Sequence, residues 1–381
     1  MGDVRVIQNS KHFSFSSQPQ TRELNKATCR QVMAPLPHSH SESKKRKHKA
    51  SSASSFCSHS YGRCLNVSER YEKLGRIGEG TYGIVYKARD TKTSQFVALK
   101  RCLPHNESSD GFPLTTLREI YSLRVCRDHA HIVHLQEIAV SANAVFLVFD
   151  YCPHDLARLV DSHYQSHQKS PFRESHVKTL LHQLLSALDF MHSRHLIHRD
   201  VKLSNLLYSS EGTLKLADFG LSRKLGPCLT PKVVSLWYRP PELLLGGKDY
   251  TTAVDIWGAG CCFGELLEGM PLMDGKNELD QISKVFTLLG NPTVSTWPDL
   301  KRMPLIQNVF AGLPLPVTKC GLLDRFSHLS STGLSLLSTL LSYNPETRGT
   351  ATKAWQSRYF TELPSMTPPE LMPRFPSLHG K

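Results

Sequence analysis

No run of apolar residues in this chain comes near the about 20 that a membrane-crossing helix needs. Stretches such as VFLVF at 145–149 are far too short. The first thirty residues lack the apolar core of a secretory signal, and Val6 stands where a myristoylated Gly2 would need Ser or Thr. The ten cysteines form no C-x-x-C pair and no Cys/His spacing suited to zinc. A disulfide-stapled or zinc-built scaffold is thereby excluded, and the expectation is a soluble, intracellular chain with reduced thiols and no membrane partner. Acidic residues are also short, 33 against 46 Lys and Arg, for a net charge of +13. That imbalance is mostly local: residues 1–66 carry 11 basic and 3 acidic side chains and supply +8 of it. The rest is only mildly basic, so nucleic acid is not expected as the main partner.

What is present is enough for two packed domains, 381 residues of which 40% are hydrophobic. Residues 1–67 are rich in Ser, His, Lys and Gln without a period of 2 or 3.6, and are expected to form a disordered tail. Inside it SKKRKHK at 43–49 reads as a nuclear-import address, a weak nucleic-acid contact or a solvated charge run. From Tyr71 the texture changes to short strands: YEKLGRIG, GIVYKARD, FVALK, IVHLQEIAV and AVFLVFDYC, with one helix inserted at 114–126. Beyond Pro153 helical periodicity dominates, as in HVKTLLHQLLSALDFMHSRH and DIWGAGCCFGELLEG. The expected organisation is a tail at 1–67, a small mainly antiparallel β lobe at 68–152, a larger mainly helical lobe at 153–360 and a C-terminal tail at 361–381.

GEGTYG at 78–83 fits G-x-G-x-x-G, a weak signal by itself. A Rossmann phosphate loop leads into a helix, whereas this one leads into the β-branched and aromatic run IVYKARD, so the glycines sit in a hairpin. No G-x-x-x-x-G-K-[ST] follows, which excludes a Walker A loop. Taken alone the segment could be a structural turn.

More follows in chain order: Lys100 in VALK, Glu119 in the next helix, HRDVKLSN at 198–205, DFG at 218–220 and PPE at 240–242. The ordered set, over roughly residues 70–360, resembles the protein-kinase signature, which implies an α+β bilobal fold with ATP and Mg²⁺ as cofactors. By that resemblance the backbone of Gly78, Glu79, Gly80, Thr81, Tyr82 and Gly83 covers the phosphates, Lys100 holds them, and Glu119 fixes Lys100. The rest of the nucleotide site falls on Ile77, Val85, Ala98, Phe149, Asp150, Cys152, Asp155 and Leu207. Asn205 and Asp218 are the implied Mg²⁺ ligands. Asp200 is the implied base for the substrate hydroxyl, with Lys202 steadying the γ-phosphate and Ser235 bonding both. Lysine two places after the catalytic aspartate is the serine/threonine-kinase pattern.

VVSLWYRPPE at 233–242 and DIWGAG at 255–260 resemble the group that holds cyclin-dependent and mitogen-activated kinases, and imply Ser/Thr-Pro substrates, with Val233 and Val234 shaping the proline pocket. PLTTLRE is similar to the cyclin-contacting helix of the cyclin-dependent kinases, nearest its PISSLRE and PITSLRE forms. With LTPKVVSLWYR and PELMPRFP it points to the cyclin-dependent kinase 10 type, which implies a cyclin M partner; the cyclin-dependent kinase 11 type is the near alternative. The resemblance further implies an activating kinase for Thr230, received by Arg118, Arg199 and Arg223, and inhibitory sites at Thr81 and Tyr82. It implies an ion pair of Glu242 with Arg348, and the expected distribution of the chain is between nucleus and cytoplasm. Three departures stand out: a stretch from Asp218 to Thr230 about three residues short, Ser235 for Thr, and Pro240 for Ala. The short loop keeps a second function open, a cyclin-binding scaffold with little or no catalysis.

A helical wheel over the inserted helix puts Leu114, Leu117, Ile120 and Tyr121 on one side and Glu119, Leu123 and Cys126 roughly opposite. With Glu119 turned toward Lys100, Leu117 and Ile120 are expected to meet the cyclin.

Overall fold

The computed structural model describes residues 65–377, save 81–82, 103–112, 142–143, 227–228, 231–232 and 308–319. The basic run at 43–49, nearly all of the expected N-terminal tail, and Thr81 and Tyr82 lie outside the described residues.

The small lobe comprises β1 (Leu65–Asn66), α1 (Val67–Arg70), β2 (Tyr71–Gly80), β3 (Gly83–Asp90), β4 (Phe96–Cys102), α2 (Leu114–Val125), β5 (Leu135–Ser141) and β6 (Ala144–Asp150). Its strands form one sheet in the order β1-β5-β6-β4-β3-β2, antiparallel throughout except for β1 on β5. Leu65 and Asn66 pair with Ala139 and Val140, and Val67 is buried, so the expected tail stops short of residue 67. The reason is that β5 offers a free edge to any extended segment beside it.

Alternation along β4 decides what each face of the sheet does. Val97 and Leu99 point into a small core shared with Val67, Tyr71, Ala88, Ala139, Phe146 and Val148. Each such aliphatic side chain stabilises the fold by roughly 1.5–3 kcal/mol. Ala98 and Lys100, one residue out of phase, border the cleft on the opposite face. Leu147 and Phe149 of β6 likewise join the large core below.

The large lobe begins with β7 (His154–Asp155), α3 (Leu156–His167) and α4 (Glu174–His192), then β8 (Leu196–Ile197), β9 (Leu206–Tyr208), β10 (Leu214–Leu216) and β11 (Arg223–Lys224). It continues with α5 (Pro241–Leu244), α6 (Ala253–Glu268), α7 (Glu278–Leu289), α8 (Leu322–Arg325), α9 (Ser331–Leu340) and α10 (Ala351–Trp355). In α4 the apolar positions 177, 180, 181, 184, 185, 188 and 191 recur at helical spacing, and all are buried. Helix α6 is buried on almost every side, and Gly258 lets it approach the 198–205 loop: a Cβ there would lie 2.8 Å from Val201 O. Among the described residues no helix is long and apolar enough to cross a membrane.

Residues 361–377 lie along the large lobe. Thr179 Oγ1 donates to Thr367 O at 2.7 Å, Tyr208 Oη donates to Pro373 O at 2.7 Å, and Met372 is buried.

Candidate active site

A cavity of about 620 Å³ separates the two lobes, a volume suited to a nucleotide-sized ligand. Ile77, Gly78, Glu79, Gly83, Val85, Ala98, Phe149 and Asp150 border it from the small sheet, Cys152 from the connection between lobes and Asp155 from β7. Leu207 borders it from the large lobe. Gly80 pairs with Gly83 at the end of the β2–β3 hairpin, which is the strand-to-strand setting the glycine pattern predicts.

Lys100 Nζ donates to Glu119 Oε1 at 2.7 Å and to Asp218 Oδ1 at 2.9 Å. Glu119, of α2, is only 2% exposed. Burial is the largest influence on the Lys100 ammonium and opposes its charge, yet the two carboxylates outweigh it and hold its pKa above the usual lysine value. Burial likewise raises Asp218, but Lys100 more than offsets this and leaves its carboxyl below the ordinary range. The site therefore carries a fixed cation and a fixed anion side by side. Asp218 has φ 60°, a left-handed conformation that is unusual for a residue other than glycine.

The 198–205 loop brings the remaining groups together. Asp200 Oδ1 accepts from Ser235 Oγ at 2.9 Å, and its Oδ2 meets Lys202 Nζ at 2.8 Å and Asn205 Nδ2 at 3.0 Å. Lys202 Nζ also donates to Ser235 Oγ at 2.8 Å, so the serine standing in place of threonine keeps the hydroxyl contacts. With its amide nitrogen spent on Asp200, Asn205 has its amide oxygen to offer as a hard ligand. Among the described residues no group of three or more His, Cys, Asp or Glu could hold a metal ion alone. Asn205 and Asp218 thus fit a Mg²⁺ that is also bound by phosphate oxygens and water, its usual manner.

Arg199, at φ 68°, is held in a strained conformation that costs about 1–3 kcal/mol. Asp255 of α6 maintains it, accepting from the amides of His198 at 2.9 Å and Arg199 at 2.8 Å and from His192 Nε2 at 2.9 Å. Sequence reasoning quoted Asp255 only as part of a motif. A carboxylate inside the apolar run AVDIWGAG was the available signal for an anchoring role. Val133, His154, Ala157, Arg158 and Ser204 also border the cavity and were not foreseen. Asp155 doubles as the N-cap of α3, where its side chain accepts from Arg158 N at 2.9 Å.

Downstream, Val234 has φ 67° and turns its carbonyl to Arg239, whose Nη2 donates to it at 2.9 Å while Nε donates to Val233 O at 3.1 Å. Glu242 and Arg348 meet as expected in a two-pronged ion pair, both contacts 2.8 Å, with Arg348 fully buried. Pro240 caps α5, its carbonyl accepting from Leu243 N and Leu244 N at 3.1 Å.

The expected arginine cluster is only partly assembled. Arg118 and Arg223 border a second cavity of about 350 Å³ together with Lys224, which sequence reasoning missed, and Tyr121. Arg199 is not among its lining residues: its Nε donates to Leu221 O at 2.7 Å and its Nη1 to Tyr250 Oη at 2.9 Å. Tyr250 in turn donates to Thr230 O at 2.8 Å, and the Thr230 side chain is exposed. On α2, Leu114, Leu117 and Tyr121 are exposed as the wheel predicts, but Ile120 is half-buried against the large core. The wheel treats a helix as touching one neighbour; α2 is packed on both sides of Glu119, and Ile120 falls within the covered arc.

Residues 71–360 match the family model described as protein kinase domain. Cyclin-dependent kinase 10 of Homo sapiens is 45% identical over 329 residues, 85% of this chain and 88% of that protein. Cyclin-dependent kinase G-1 of Oryza sativa subsp. indica is 41% identical over 342 residues, 85% of this chain and 48% of that one. Among solved structures, the yeast RNA Pol II CTD kinase CTDK-1 complex contains a chain with 36% identity and a TM-score of 0.72, covering 83% of this chain and 100% of its own.

Proposed function

Since the chain belongs to the protein kinase family and, within it, to the cyclin-dependent kinases, we propose that it transfers the γ-phosphoryl group of ATP to serine or threonine followed by proline, under cyclin control. The observation that carries this reading is the convergence of Asp200, Lys202, Asn205 and Asp218 on the cleft that Lys100 and Glu119 close from the other side. Bound ATP with Mg²⁺ supplies the transferable phosphoryl group and the neutralising charge. Asp200 accepts the proton of the substrate hydroxyl, and Lys202 balances charge beside it. Asn205 and Asp218 would hold the metal, and Lys100 would hold phosphate oxygens.

Preference for proline follows from Val234. Its carbonyl is committed to Arg239, so it cannot accept from the amide of the residue after the phosphoacceptor. An ordinary residue would bury an unpaired N–H there, whereas proline has none to lose. Leu114, Leu117 and Tyr121 offer the cyclin an exposed apolar face. Likeness to cyclin-dependent kinase 10 favours a cyclin of the M type. A phosphate on exposed Thr230 has Arg118, Arg223 and Lys224 as its cationic reception. The basic run at 43–49 favours a share of the protein in the nucleus.

The alternative, a scaffold that grips a cyclin without turnover, draws on the commitment of Arg199 to Leu221 and Tyr250. The deciding experiment purifies the full chain with candidate cyclins and follows ³²P transfer from ATP to a Ser-Pro peptide and to its Ser-Ala counterpart. Transfer that requires a cyclin, favours Ser-Pro and collapses in Asp200→Asn is expected. Transfer no greater than that of the variant with any cyclin would establish the scaffold instead.

A further inference from the structure

The three-stranded sheet under the cleft has two faces, and the chemistry above uses one. In β7 and β9, Asp155 pairs with Leu207 and His154 with Tyr208. Opposed residues of antiparallel strands share a face, and the next pair takes the other. Asp155 and Leu207 border the nucleotide cavity, and Tyr208 does not. His154 touches both sides: it borders the cavity, yet its Nε2 donates to Phe375 O at 3.3 Å.

What covers the Tyr208 face is the chain's own C-terminal segment. Tyr208 Oη donates to Pro373 O at 2.7 Å. The Phe375 ring packs edge-on against His154 and Tyr208, with centroids 6.2 and 6.0 Å apart. Gly212, in the turn between β9 and β10 at φ 81°, leaves the segment room, because a Cβ there would collide with Pro369 O. Donation to Phe375 O places the His154 proton on Nε2 and leaves Nδ1 a buried acceptor with no donor among the described residues.

We infer that residues 369–376 form a clasp that sets the position of the nucleotide floor, with Tyr208 and His154 as the positioning residues through which it acts on Asp155 and Leu207. The inference rests on the nucleotide reading of the cleft. Strands of two and three residues are too short to hold their own shape, so the sheet takes its rigidity from what lies on it. Release of the clasp strips Tyr208 and His154 of their acceptors and uncovers their rings together. A floor free to move by about 1 Å is a costly misplacement for groups that orient a ligand.

The test compares the full chain with Phe375→Ala, Tyr208→Phe and the conservative Phe375→Leu. Hydrogen exchange is read at residues 154–156 and 206–208, and affinity is read with a fluorescent ADP. Phe375→Ala is expected to speed exchange at both stretches and to weaken ADP roughly three- to tenfold, and ATP KM rises in step while kcat holds. Tyr208→Phe shows a smaller effect of the same kind, and Phe375→Leu restores most of the loss. Faster exchange with unchanged ADP affinity makes the segment a mere cover and overturns the inference. Unchanged exchange overturns it too. A parent that binds ADP while the variants match it sinks the clasp alone; a parent that binds no nucleotide removes the reading of the cleft and the clasp with it.

Discussion

Glu242 and Arg348 lie far apart in the chain and join by two hydrogen bonds of 2.8 Å each, with the guanidinium fully buried. Arg348 also donates to Ala253 O at 2.9 Å and Ser342 O at 2.9 Å, so one side chain ties α5, the start of α6 and the loop after α9 together. Arg348→Met leaves the Glu242 carboxylate buried without its cation and is expected to lower unfolding free energy by about 3–5 kcal/mol. Chemical denaturation checks this. Adding Glu242→Leu should recover part of the loss, because the orphaned charge is then gone.

Asp200→Asn keeps the shape of the loop but removes the base. Turnover is expected to fall roughly 10²- to 10⁴-fold. Nucleotide affinity, measured with a fluorescent ADP, should stay within about twofold, since Lys100 and Asp218 are untouched. A comparable loss of affinity would move Asp200 from base to binding group.

The exposed face of α2 gives a third prediction. Leu117→Asp with Tyr121→Asp replaces two exposed apolar side chains and should reduce cyclin capture by at least about tenfold, while the melting temperature of the chain alone hardly moves. Ile120→Asp should do the reverse in the chain alone and lower its melting temperature, because Ile120 packs against the large core.

Glu265 of α6 predicts a dependence of stability on pH. Burial pushes its carboxyl up to about 7, against a bond donated by Tyr238 Oη at 2.6 Å that works the other way. The folded state thus prefers the protonated acid. The stability this group contributes is fully present below about 4.5 and is lost as pH rises to about 7. The loss is on the order of 3 kcal/mol. Glu265→Gln should flatten the profile, so that its melting temperature gains on the parent between pH 5 and pH 8.

Much of the cleft was legible in the sequence because its chemistry demands particular atoms at particular spacings. Lys100 and Ala98 face the cavity through the alternation in VALK, and Asp200, Lys202 and Asn205 share one short loop. What escaped depends on contacts between distant segments. Asp255 reads as one more acid until the amides of His198 and Arg199 are found on it. Residues 361–381 read as a tail because Met372 and Phe375 have no periodic neighbours; only the folded lobe supplies the surface they cover. Ile120 illustrates the same limit on α2, and Arg199, expected beside Arg118 and Arg223, is drawn to Tyr250 by a residue that no motif flagged.

Lys100 has two anions, and they belong to different halves of the molecule. Glu119 rides on the small lobe with it, whereas Asp218 is fixed to the large one. Val97 and Leu99 anchor the strand that carries Lys100 from behind, while Leu123 of the helix that carries Glu119, and Cys126 at its end, sit in the large core. At 2.9 Å, the Lys100–Asp218 contact fastens a strand of the small sheet to the 218–220 turn below it, and so fixes the width of the cleft at a point where charge spans it.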